Sequence, residues 1–252
     1  MLPSGFERLL LGHAVAVART DLAPSIRRAL VKADGGRSTL HEYASHQPGG
    51  RPLVGRGTVY AVMLPESGVP VVVRHNQRGG LLRAIRGDRF LAPTRAPHEL
   101  TMSLELRRHG VRTPEVLAYA LYPPGGIVQR SDVVTREVQG SRDLAEVLLH
   151  GDDEGRAAAL ASAAELVAAL ARARARHHDL NAKNILLSAE GAFALDVDRV
   201  QLGGSARDSL DGNLARITRS LRKWRDEFGA KISEQQIADL DAMARGAAER
   251  AA

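Results

Sequence analysis

At 252 residues the chain has room for one large core or two small lobes, and 44% hydrophobic with 25% charged residues describes an ordinary globular protein. It contains no cysteine, which excludes a disulfide framework, a thiolate metal site and a cysteine nucleophile and suits a reducing compartment. A net charge of +6 and a pI near 10.1 favour a polyanionic partner, but with aromatics at 4% there are too few stacking platforms for single-stranded nucleic acid, so none is expected.

The first residues, Met1 to Arg8, carry no basic segment followed by an apolar run, so no secretion signal is expected. No apolar stretch approaches the ~20 residues needed to cross a bilayer, and a cytoplasmic location follows as the expectation. Residues 13–18 read as a short strand. Asp21 is expected to cap a helix over Leu22–Lys32, with Pro24 in its first turn. Ala33 to Arg51, rich in Gly, Ser, His and Pro, reads as a loop-dominated linker. Apolar runs at 58–64 and 69–74 flank the turn residues Pro65-Glu-Ser-Gly, predicting a hairpin. Ala96 to His109 reads as a helix stopped by Gly110, and 116–122 and 132–138 as two strands. An alanine-rich amphipathic helix is predicted over 155–176, with Leu160, Ala163, Val167, Leu170 and Ala171 on one face. A small hairpin turns around Ala189-Glu-Gly, and the chain from Ala206 onward reads as helical. Strands first and helices later predict an α+β fold of two lobes, a β-rich one over residues 1–138 and a helical one over 139–252.

Chemistry concentrates in His177-His-Asp-Leu-Asn-Ala-Lys-Asn184 and in the hairpin ending Asp196-Val-Asp198. A kinase-type catalytic loop needs an Asp that orients the acceptor hydroxyl and takes its proton. An Asn five positions on holds a metal ion, and an Asp beyond the next hairpin holds metal bridging the phosphates. Asp179, Asn184 and Asp196 stand at those positions. Each alone would read as a cap or turn residue; the joint pattern of loop, Ile-Leu-Leu strand, Gly turn and second Asp is far more restrictive.

The upstream parts occur in kinase order. Gly55 and Gly57 precede the first hairpin strand, where backbone amides can cover the ATP phosphates, although such a pair is also an ordinary turn. Arg74 ends the second strand, at the place of the phosphate-contacting lysine, with a wider planar fork. Glu99 in the following helix is its natural partner, ahead of Glu105. Val133 to Gly140 runs where two lobes would join and where backbone groups would meet adenine. His177 reads as a packed first residue of the loop, and His178 has no assigned role. Trp224, the sole tryptophan, reads as packing.

Gly55-Arg-Gly, Val-Val-Arg74-His75-Asn-Gln-Arg78-Gly79-Gly80, Asp179-Leu-Asn-Ala-Lys-Asn-Ile-Leu-Leu, Leu-Asp196-Val-Asp198-Arg199 and Asn213-Leu-Ala-Arg216-Ile-Thr-Arg-Ser220-Leu together resemble the bacterial lipopolysaccharide kinases, above all those acting on 3-deoxy-D-manno-octulosonic acid (Kdo). The resemblance spans roughly residues 50 to 225, and its most discriminating part is the Arg-His-x-x-Arg-Gly-Gly run. It implies a bilobal protein-kinase-like fold, ATP with Mg²⁺ between the lobes, and a phosphorylated acceptor of the Kdo–lipid A type. It also makes arginine at position 74 expected. Asn76-Gln, Val197 and Val200 depart from the family pattern.

Residues 74–95 carry arginines 74, 78, 83, 86, 89 and 95 and His75 against the single acid Asp88. A charge run is usually a solvated face. For a lipid A kinase, Arg78, Arg83, Arg86 and Arg89 are candidate contacts to acceptor phosphates or to the anionic inner-membrane surface, which would make the protein peripheral there. Two rivals share the loop pattern. One is a soluble-acceptor kinase of the aminoglycoside or choline sort; the other is a silent pseudokinase scaffold.

Overall fold

The computed structural model describes residues 2–12, 14–32, 39–54, 58–75, 90–91, 95–122 and 128–250. They fall into two compact units, one of residues 1–101 with 115–137 and one of 102–114 with 138–252. Residues 102–114, expected within the first lobe, group with the second unit.

The first unit is a sheet of antiparallel neighbours: β1 (Phe6–Leu11), β2 (Ala14–Arg19), β3 (Arg51–Val54), β4 (Thr58–Met63), β5 (Pro70–His75), β6 (Phe90–Leu91), β7 (Val116–Tyr122) and β8 (Val128–Arg136). Their order is β1-β2-β7-β8-β5-β4-β3, with β6 paired to β8. The small side chains Ala14, Ala16 and Ala18 alternate onto one buried face of β2. Two helices cover that face. In α1 (Ala23–Lys32) the stripe Ala23, Ile26, Ala29 and Leu30 is buried. Asp21 does not cap it: a 3-10 turn over Thr20–Leu22 precedes the helix, and Asp21 binds the Arg19 guanidinium at 2.6 Å.

The linker expected over 33–51 contains α2 (Leu40–Ser45), whose Leu40, Tyr43 and Ala44 are buried. Polar composition hid a capping box between Thr39 and Glu42, which starts the helix. Its orphan N–H groups are all accounted for. Leu40 N donates to the Tyr122 hydroxyl at 3.0 Å and His41 N to Asp132 Oδ2 at 2.8 Å. Glu42 N donates to Thr39 Oγ1 at 3.1 Å and Thr39 N to Glu42 Oε2 at 2.8 Å. Asp132 Oδ1 in turn meets His75 Nδ1 at 2.6 Å, so a fully buried carboxylate ties α2 to the end of β5. Burial above all, with the Asp132 charge beside it, holds the Tyr122 hydroxyl well above its ordinary pKa.

Helix α3 (Ala96–Arg108) ends at Gly110, which takes φ +76°. The second unit is built around α5 (Asp153–Arg172), capped by the Asp152 side chain on Gly155 N. Leu160, Ala163, Ala164, Val167, Ala168, Leu170 and Ala171 are buried in it, and its alanines let neighbouring helices approach closely. Those neighbours include α4 (Leu144–His150), α6 (Ala206–Phe228) and α7 (Glu234–Glu249). The chain from Ala206 onward is helical as expected, in two helices separated at Gly229, which adopts φ +72°.

Candidate active site

The helix expected to reach residue 176 stops at Arg172. Arg174 turns the chain at φ +49°, and Ala175–His177 becomes β10, paired antiparallel with β13 (Val200–Leu202). That reversal presents residues 178–181 as a loop. A 3-10 turn over Ala182–Asn184 leads into β11 (Ile185–Ser188), which pairs with β12 (Gly191–Ala194) and with β9 (Arg142–Asp143). Gly191, at φ +112°, makes the hairpin turn. Leu195 and Asp196 follow directly.

Asp179 is half-buried and addressed by two amides. Asn184 Nδ2 donates to its carbonyl at 2.8 Å and lies 3.4 Å from Oδ2. Asn181 Nδ2 donates to the same carbonyl at 2.9 Å and reaches Oδ1 at 3.3 Å. Asn184 is buried, and with its amide nitrogen used on Asp179, Oδ1 is the ligand atom it has to offer a cation. Its backbone carbonyl accepts from Leu195 N at 2.9 Å, which ties the loop to the residue before Asp196.

His177 makes a second tie. Its Nδ1 accepts from Asp179 N at 3.1 Å, and its Nε2–H donates to the Leu195 carbonyl at 2.8 Å. Those two bonds specify one neutral tautomer. Burial lowers the imidazole pKa from its ordinary value, against the opposing pull of the Leu195 carbonyl and of the Asp196, Asp179 and Asp198 charges. Asp196 itself sits at φ 53°, ψ 45°, a left-handed conformation that an aspartate holds at some cost. Val197 and Val200, the departures from the family pattern, are buried in the hydrophobic core.

Helix α6 braces the loop from behind. Buried Asn213 accepts from His177 N at 2.9 Å through Oδ1 and donates to the Ala175 carbonyl at 2.9 Å through Nδ2. Ser220 Oγ, seven residues on and so on the same helix face, accepts from Ala182 N at 3.0 Å. Sequence reading quoted both residues without giving either a role. Their spacing of seven on an amphipathic helix was the available signal. His178, unassigned from sequence, reaches Gln201 Oε1 at 3.1 Å.

In the first unit Arg74 Nη2 donates to Glu99 Oε1 at 2.5 Å, with the Glu99 side chain 6% exposed. Glu105, the rival partner, is bound instead to Arg108. Gly55, Gly57, Arg78, Arg83, Arg86 and Arg89 lie outside the described residues.

A carboxylate and an amide oxygen, such as Asp196 and Asn184 carry, are donor types a hard cation takes when a ligand supplies further oxygens. Among the described residues no cluster of three or more His, Cys, Asp or Glu forms a closed metal cage. No helix of the described residues is long and apolar enough to cross a membrane.

The 3-deoxy-D-manno-octulosonic acid kinase of Stenotrophomonas maltophilia (strain K279a) is 32% identical to this chain over 191 residues, 74% of either chain. The kinase of the same name from Xanthomonas axonopodis pv. citri (strain 306) is 34% identical over 191 residues, again 74% of either chain. A solved structure, WaaP in complex with acyl carrier protein, aligns with a TM-score of 0.44 at 18% identity, covering 86% of this chain and 95% of that one. Residues 51–243 match the lipopolysaccharide kinase (Kdo/WaaP) family, and with most of its length covered the chain belongs to that family.

Proposed function

We propose that this kinase transfers the γ-phosphoryl group of ATP to a hydroxyl of Kdo on lipid A. The observation that carries the reading is the Asp179–Asn184–His177 cluster, which ties the loop bearing the base to Leu195, the residue before Asp196. Asp179 is the general base: it orients the acceptor hydroxyl and takes its proton as the new P–O bond forms and the bond to the β-phosphate oxygen breaks, releasing ADP. Asn184 and Asp196 would hold Mg²⁺, which supplies charge neutralisation to the phosphates. Arg74, oriented by Glu99, offers a guanidinium to phosphate oxygens, and Gly55 and Gly57 are the candidates to cover them. In this division of labour residues 1–138 hold the nucleotide phosphates and residues 139–252 carry the chemistry. Positioning and charge stabilisation supply most of the rate.

The net charge of +6 supports an acceptor presented at the anionic inner face of the inner membrane, with Arg78, Arg83, Arg86 and Arg89 as the contacts. The test is mass spectrometry of Kdo–lipid A after incubation with the protein, ATP and Mg²⁺, in parallel with aminoglycosides and choline. One added phosphate on the Kdo-bearing lipid is the expected result. Phosphate on a soluble acceptor instead, or ATP binding without turnover, would overturn it.

A further inference from the structure

The face of α6 that holds the catalytic loop does not end at Ser220. One turn on, the Trp224 ring lies under the Lys183 ammonium, 5.5 Å from Nζ to the ring centroid. Another turn on, Phe228 packs against Trp224 with centroids 4.5 Å apart and planes at 33°. Phe228 is 52% exposed, the aromatic member of the large exposed hydrophobic residues among those described. Lys183 belongs to the loop itself, four residues after Asp179 and immediately before Asn184. Its side chain is 41% exposed, and one of its three donors is used on Asp143 Oδ2 at 3.0 Å. The other Asp143 oxygen is taken by Glu146 N at the start of α4.

An ammonium over an indole ring that is itself packed against an exposed phenyl ring is a surface with a definite chemistry. It suits an anion carried on a ring with apolar C–H faces, and it suits neither a bare phosphate nor a neutral sugar equally well. We propose that Lys183, Trp224 and Phe228 form the subsite for a sugar-acid acceptor, the ammonium meeting the carboxylate and the aromatic pair carrying the sugar ring. This assignment rests on the acceptor class named in the proposed function. Ser220 places the subsite, because its bond to Ala182 N fixes the register of Lys183 over Trp224.

Trp224 is the sole tryptophan of the chain, so its fluorescence reports on this place alone. Free Kdo titrated into the whole protein without ATP should change that fluorescence saturably. Lys183→Met should weaken the binding by about tenfold or more, as loss of a charge-assisted contact does. Lys183→Arg should restore part of it, and Phe228→Ala, at an exposed position, should weaken it several-fold with the melting temperature unmoved. The Kdo methyl ester should bind wild type as poorly as Kdo binds Lys183→Met, and inorganic phosphate at equal ionic strength should not compete. An unchanged signal with Kdo, equal binding by Lys183→Met, or full competition by phosphate overturns the subsite, even where the kinase assay succeeds. Conversely, Lys183-dependent binding in a protein that fails to phosphorylate Kdo–lipid A keeps the subsite and rejects the proposed reaction.

Discussion

The two units treat their carboxylates in opposite ways. In the first, Asp132 is sealed from solvent and satisfied by His75 Nδ1 and by the amide of His41, with the Tyr122 hydroxyl close by. In the second, Asp179 and Asp196 remain half-buried, and the neutral amides of Asn181 and Asn184 reach the Asp179 side chain. A buried charge must be fully paired, because each lost partner leaves a large desolvation penalty. A carboxylate that has to receive a proton or a cation needs open approach and orientation by neutral donors. Burial therefore separates a clasp from the proposed reaction centre, although both consist of Asp, His and amide groups.

The sharpest break of this comparison exchanges charge for amide at both places. Asp179→Asn should reduce turnover by ~10² or more with little change in thermal stability, because a proton acceptor is lost at a half-open position. Asp132→Asn should do the reverse. It should destabilise the protein by about 1 to 3 kcal/mol, as a buried polar group left without its partner does, and what folds keeps its turnover. Paired kinetics and urea unfolding of the two variants decide it. If Asp132→Asn proves the more damaging to turnover at full stability, the assignment of roles is inverted.

Asn213, buried like the clasp, and Ser220, half-buried, occupy a middle ground, since both are bonded to the loop that carries Asp179. Asn213→Ala leaves the His177 amide and the Ala175 carbonyl without their partner, at a cost of about 2 kcal/mol or more. Ser220→Ala frees the Ala182 amide at about 1 kcal/mol. Both should lower kcat while leaving the KM for ATP nearly unmoved, since the loop shifts and the phosphate contacts do not. Ser220→Thr keeps the hydroxyl and should recover most of the loss. Equal loss in Ser220→Ala and Ser220→Thr would make the hydroxyl irrelevant.

Much of this was legible in the sequence, for reasons that differ between elements. The hairpin of β4 and β5, α3 with its Gly110 stop and the alanine-rich α5 announce themselves through periodicity and punctuation. Asp179, Asn184 and Asp196 announce themselves through spacing, because the loop and hairpin between them have fixed lengths. Helix α2 was invisible because its six residues are too short for a periodic signal, and its anchors Tyr122 and Asp132 lie 82 and 91 residues from the amides they bind. β1 carries no clear signal because Glu7 and Arg8, on opposite faces and both exposed, break the apolar alternation, and only pairing with β2 makes it a strand. The end of α5 was misplaced because Arg172 to Arg176 has good helix formers throughout, and the pairing of β10 with β13 overrides that propensity.

The smallest effect concerns His177, which belongs to the reaction centre by position and to the clasp by burial. Held neutral between Asp179 N–H and the Leu195 carbonyl, it has a folded-state pKa below that of the unfolded chain. The unfolded state therefore binds the extra proton first as pH falls. The stabilising contribution is complete above the unfolded value of about 6.5 and declines below it, until the folded imidazole also protonates. Within that window the slope is at most one proton, about 1.4 kcal/mol per pH unit. Protonation of the folded form would place an N–H on Nδ1 facing the Asp179 amide, so the tie between loop and base is lost with the same proton. Urea unfolding at pH 7.5, 6.5 and 5.5 should show the decline in wild type. His177→Gln, which does not titrate, should be less stable at pH 7.5 yet lose less on acidification, the difference in slope being that single proton. Parallel lines for the two proteins would mean that other histidines govern the acid limb, and that His177 is a packed ring with no proton-linked part in holding the loop.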